Sequence, residues 1–193
     1  MQLPTPQFSR LVTVLAFDLS DPSLDSMILA WDHIATRFVN PVRRHREEAG
    51  RLESIRLLSI HDAVHSVFGS GSGYVFKQAA PAQSLGAALA ATAQASHDVL
   101  SAVFRSPDQQ ADLKHTLEES LALIPDANQR DIGVEAGSSS AASYLDAFAP
   151  FISRIIEVVG KESHAGIPPL RFVGQPLTAG GSNVGGERWR RSA

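Results

Sequence analysis

His61-Asp62-Ala63-Val64-His65 is the run in which residue types and spacing point most directly to chemistry. Residues four apart on a helix share one face, so both imidazoles can be offered to one metal ion, with the Asp62 carboxylate beside them. Zinc sites need a third protein donor, and His97 and His115 are candidates that no recognisable spacing sets beside the pair. The plainer reading is that His61, Asp62 and His65 make hydrogen bonds at a helix-helix contact.

The run resembles the zinc-protease motif H-E-x-x-H, but Asp62 is one methylene shorter than the general-base glutamate. Other chemistry finds less support. The loop Gly69-Ser70-Gly71-Ser72-Gly73 follows a predicted helix instead of a strand and has no G-K-[ST] end, so it reads as a linker and not as a phosphate cradle. Serines are numerous, yet no G-x-S-x-G elbow is present for acyl transfer. Glu118 and Glu119 fall on a helix with a solvated polar face, where exposure keeps carboxylates ordinary.

The elements that must position these residues are helical. Leu24, Met27, Ile28, Trp31, Ile34, Ala35 and Phe38 recur at steps of three and four, which predicts a helix from Pro22 to Phe38 that stops at Asn40-Pro41. Arg43 to Glu48 is charged and reads as a solvated connection or first turn, leading to a second helix from about Gly50 to Phe68. Pro81 to Phe104 is alanine-rich and predicts a long helix closely packed by its neighbours. Ser106-Pro107-Asp108 starts a fourth that ends at Ile124 before Pro125. A fifth runs from about Asn128 to Leu145, and Pro150 opens a sixth, Phe151 to Val159, capped by Gly160. No strand pattern emerges. The fold class is all-α, a bundle of five to six helices over residues 1–160, with a Gly/Pro-rich, irregular tail over 161–193.

Composition narrows the function classes. Apolar residues are 44 % and charged residues 19 % of the 193, which suits a folded domain with a real core. A net charge of -3 supplies no basic field for a nucleic acid partner. Without cysteine there is no disulfide, thiolate nucleophile or cysteine-ligated metal. Leu11 to Phe17 is apolar, but Asp18 and Asp21 stand where a signal-peptide cleavage site would lie. No apolar run approaches the roughly 20 residues of a membrane span. A soluble, cytoplasmic protein is expected.

In order and approximate spacing, several segments resemble the amino-terminal helical region of the vanadium-dependent haloperoxidases. They are Ile28-Leu29-Ala30-Trp31-Asp32-His33-Ile34, Ile60-His61-Asp62-Ala63, Ala95-Ser96-His97-Asp98-Val99-Leu100-Ser101-Ala102-Val103-Phe104 and Leu121-Ala122-Leu123-Ile124-Pro125-Asp126. Gly133 and Gly137, followed by Ala141-Ala142, resemble the next helix of that family. The likeness spans about Met27 to Leu145. It implies kinship with the type 2 phosphatidic acid phosphatases, whose haloperoxidase relatives use a helical bundle to hold vanadate as a phosphate mimic and oxidise halides with peroxide.

A multiply charged oxyanion needs cationic donors around it, which the family draws from a K-x-x-x-x-x-x-R-P segment, a P-S-G-H segment and a third with arginine and histidine. This sequence departs from all three. Lys161 and Arg171 are too far apart and no proline follows Arg171. Ser163-His164-Ala165-Gly166 lacks the proline and the intervening glycine, and Arg188 stands where the third segment needs histidine. No catalytic or cofactor-binding residue of the family is carried onto this chain, and no cofactor is expected for it. The resemblance thus implies a truncated, haloperoxidase-like helical protein, inactive alone. An alternative is a helical interaction module whose apolar face meets a second copy or the missing catalytic half. The metallohydrolase on His61 and His65 is the second alternative.

Overall fold

The computed structural model describes residues 23–40, 45–69, 73–78 and 84–164. They form six helices: α1 (Leu24–Val39), α2 (Arg46–Phe68), α3 (Leu85–Val103), α4 (Pro107–Ala122), α5 (Ala127–Ala147) and α6 (Ala149–His164). Among the described residues there is no strand, so the all-α expectation holds. No helix described is long and apolar enough to cross a membrane. The apolar run 11–17 and residues 165–193 of the tail lie outside the described residues.

Local chemistry sets most boundaries. Ser23 and Ser26 form a reciprocal capping box at the start of α1, which satisfies two backbone donors that a helix otherwise leaves open. Ser84, Ser106 and Asp126 cap α3, α4 and α5, each with one side-chain oxygen that accepts the N–H three residues on, and Pro107 sits in the first turn of α4, where a missing N–H costs nothing. Gly69 ends α2 with φ 62°, a left-handed conformation that suits a residue without Cβ.

Helix α3 is the axis of the bundle and touches every other helix. Residues Ala87 through Ser96 are all buried, because small side chains let neighbours close in on every side. The nearest approach is to α5. A Cβ on Gly133 would lie 2.2 Å from the Ala87 carbonyl oxygen, and one on Gly137 would lie 2.6 Å from that of Ala91. Glycine is required at both positions by backbone contact. One core cluster gathers Trp31, Leu52, Leu100, Phe104 and Tyr144, with the Phe38 and Phe104 rings 5.3 Å apart; a second gathers Ile60, Ala63, Val67 and the α3 residues Ala87, Ala88, Ala91 and Ala95.

Two expectations need correction. Glu48 is not on a solvated stretch: α2 begins at Arg46, and Glu48 is buried against α6, where it accepts from Arg154 Nε at 2.9 Å. Gly160 does not end the last helix, which runs on to His164 and so passes the expected 160/161 boundary. A glycine inside a helix lowers its stability by only about 1 kcal/mol, and the apolar face Ile152, Ile155, Val159 holds α6 to the bundle.

Candidate functional site

Asp62, on the inner face of α2, is completely buried and gathers five donors. Its Oδ1 accepts the Tyr74 N–H at 3.0 Å and His61 Nδ1 at 3.1 Å; its Oδ2 accepts the Val75 N–H at 2.9 Å, the Phe76 N–H at 3.0 Å and the Tyr144 hydroxyl at 2.9 Å. Burial pushes the carboxyl up, but the Val75, His61, Tyr74 and Phe76 donors together outweigh it and hold Asp62 below the usual carboxylate range. Burial, reinforced by the Asp62 charge, pushes the Tyr144 hydroxyl up, so it stays protonated as a donor. Gly73 makes this closure possible: a Cβ there would stand 1.9 Å from the Phe76 carbonyl oxygen and 2.9 Å from Asp62 Cγ. The glycine loop is therefore more than a linker at its far end, where it is fastened to α2; residues 70–72 lie outside the described residues.

The two histidine rings meet at a tilt of 30°. The His61 and His65 rings are 4.1 Å apart between centroids, and His61 also lies 5.3 Å from the Tyr74 ring. The helix thus brings the sequence-predicted pair together, but Asp62 turns inward to the loop, away from the role of a free base. His97 and His115 have other partners, Asp98 and Glu119. Among the described residues no group of three His, Cys, Asp or Glu can hold a metal ion. His65, Ser66, Gly69, Gly73, Phe76, Lys77 and Gln78 line a cleft of about 40 Å³, room for a water molecule or little more.

Two further polar centres escaped the sequence reading. Arg56 is completely buried, yet both Asp32 of α1 and Glu53 of its own helix pair with it, and its Nη1 donates to Ser96 Oγ of α3 at 3.4 Å. Asp98 of α3 accepts from His97 Nδ1 at 2.8 Å, from Gln94 Nε2 at 2.8 Å and from the Ser138 hydroxyl of α5 at 2.6 Å. Burial pushes Asp98 up, and these hydrogen bonds more than reverse it. The adjacent His97-Asp98 was visible in the sequence, whereas Ser138 lies 40 positions away and only packing brings it in. Glu119 is not simply exposed: it pairs with His115 at 3.2 Å, and its Oε2 is buried without a hydrogen bond.

Asp32 pairs with the Arg56 side chain of α2, Asp62 ties the backbone of residues 74–76, and Asp98 accepts from the Ser138 side chain of α5, so each makes a contact between elements. No family model matches the chain, nor does any curated protein or any solved structure.

Proposed function

We propose that this chain is a haloperoxidase-like helical scaffold without an oxyanion site of its own. The observation that carries the reading is the commitment of Asp32 and Asp62 to ties inside the bundle, which gives the segments around them a structural role. Two features of the described residues support a reading without a vanadate cradle. The Arg56 guanidinium is buried but already paired with two carboxylates, and among the described residues lining the small cleft Lys77 is the one lysine or arginine. The test is dye bromination by the purified chain with vanadate, peroxide and bromide: the reading expects no turnover above a no-protein blank, and sustained bromination would overturn it.

A second reading, a helical module that binds another chain or its own copy, is favoured by exposed leucines. Leu29 lies one turn before Asp32 on α1 and Leu57 one turn after Glu53 on α2, so both flank the Arg56 junction on the outside of the bundle. Sizing chromatography with light scattering tests it: self-association is expected on the copy-binding form, and a monomer at high concentration together with no capture of a haloperoxidase-type catalytic half argues against it. The metallohydrolase on His61 and His65 has no third ligand among the described residues, and stoichiometric zinc in the purified chain would revive it.

A further inference from the structure

Hydroxyls inside helices ordinarily donate to the carbonyl one turn back. Ser54, Thr92, Thr116, Ser120 and Ser143 all do so here, at 2.8 to 2.9 Å. Ser101 does not. Its Oγ instead lies 3.3 Å from His97 Nε2, one turn back on α3. The Asp98 carboxylate lies 2.8 Å from the other ring nitrogen, Nδ1. A carboxylate can only accept, so Nδ1 carries a proton; in the neutral ring Nε2 then has a lone pair, to which the Ser101 hydroxyl can donate. Gln94 Nε2 donates to the same Asp98 Oδ1 and the Ser138 hydroxyl to Oδ2, which fixes the carboxylate against the ring. Serine, imidazole and carboxylate are thus connected in the sequence that activates a hydroxyl for attack, and all three are partly open to solvent.

We propose that Ser101 is a reactive nucleophile, with His97 as its general base and Asp98 as the residue that positions the base, and that it takes small acyl or phosphonyl electrophiles onto Oγ. With an alkyl fluorophosphonate, Ser101 Oγ attacks phosphorus, the Oγ–P bond forms, the P–F bond breaks with fluoride leaving, and the hydroxyl proton passes to His97 Nε2. The backbone N–H groups along this turn of α3 belong to the helix, so no oxyanion hole adds the roughly 10²- to 10³-fold that such donors supply. The site is therefore suited to reagents with a good leaving group and to a single modification event, not to amide hydrolysis.

The experiment treats the full chain with an alkyl fluorophosphonate and locates adducts by peptide mass spectrometry over time. Ser143, equally half-buried on α5 but donating to the Ser139 carbonyl, serves as the control within the same molecule. General-base assistance predicts labelling of Ser101 about a hundredfold faster than Ser143, and a fall of similar size in His97→Gln. Circular dichroism melting of that variant checks its fold, and the comparison of the two serines in the unaltered chain needs no variant at all. For Asp98→Asn, ¹⁵N NMR of the His97 ring gives a readout that loss of stability alone would not move: the proton is expected to leave Nδ1 for Nε2, with slower labelling. Equal labelling of Ser101 and Ser143, no labelling of Ser101, or an unchanged rate in a folded His97→Gln chain would each overturn the proposal.

Discussion

The Tyr144 hydroxyl of α5 donates to Asp62 Oδ2 of α2 at 2.9 Å, across 82 positions of sequence and with both side chains wholly buried. The same oxygen accepts the Val75 and Phe76 N–H groups, so a single atom fastens α2, α5 and the segment leading towards α3. Hydrogen bonds to a charged acceptor contribute about 1.5–3 kcal/mol each, more than neutral ones, and leaving buried donors unpaired adds to the loss.

Removing the Asp62 carboxylate is expected to be among the most damaging single changes. Asp62→Ala should cost about 3–5 kcal/mol, because three backbone N–H groups and a phenol lose their acceptor, whereas Tyr144→Phe should cost about 1–2 kcal/mol. Urea unfolding followed by circular dichroism measures both. A loss under 1 kcal/mol for Asp62→Ala would show that water replaces the carboxylate freely.

Acid should weaken the fold through the same groups. Asp62 and Asp98 are held below the usual carboxylate range in the folded chain, so the unfolded chain binds protons first. Their stabilisation is present above about pH 4 and is lost as pH falls through the lower folded values. Tyr144 acts on the other side: its raised value means that the unfolded phenol ionises first, and stability declines above about pH 10. Urea midpoints against pH should show both limbs, and the acid limb should flatten in Asp62→Asn if that variant remains folded.

Opposite signs are expected for glycines on two helices. Gly133→Ala and Gly137→Ala push a methyl into the α3 backbone and should each cost about 1–3 kcal/mol or more. Gly50→Ala, at an exposed position of α2, meets nothing within 4 Å and should stabilise by about 0.5–1 kcal/mol. Thermal melting of the three variants tests the packing of α3 on α5; equal small shifts for all would mean that the two helices stand further apart.

Arg56 is buried, but its partners Asp32 and Glu53 keep part of their surface in water, so deleting the guanidinium leaves carboxylates that can rehydrate. Arg56→Leu is expected to cost about 1–3 kcal/mol, less than the loss of a partner from a fully buried pair. Arg56→Lys should restore little of it, since an ammonium cannot reproduce the planar fork that serves Asp32, Glu53 and Ser96 together. Denaturant titration of the two variants side by side measures the difference.

Periodicity and capping made the helices legible in the sequence. The apolar steps Met27, Trp31, Ile34, Ala35 and Phe38 are the buried face of α1, and Ser106-Pro107 starts α4 as its composition requires. These signals are local, written within a few turns of chain, and so they survive without knowledge of the neighbours. Gly160 misled because a glycine past the last apolar residue reads as a cap, while the exposed helix carries it through at small cost. What His61, Asp62 and His97 do was decided by tertiary structure alone. A carboxylate next to a histidine suits a metal, a relay or a tie equally well until the donors around it are known, and for Asp62 and Asp98 these include Tyr144, Phe76 and Ser138, brought in by packing from elsewhere in the chain. Helix periodicity records which face is buried; it does not record which distant group will meet a polar atom there, because that depends on how the helices cross.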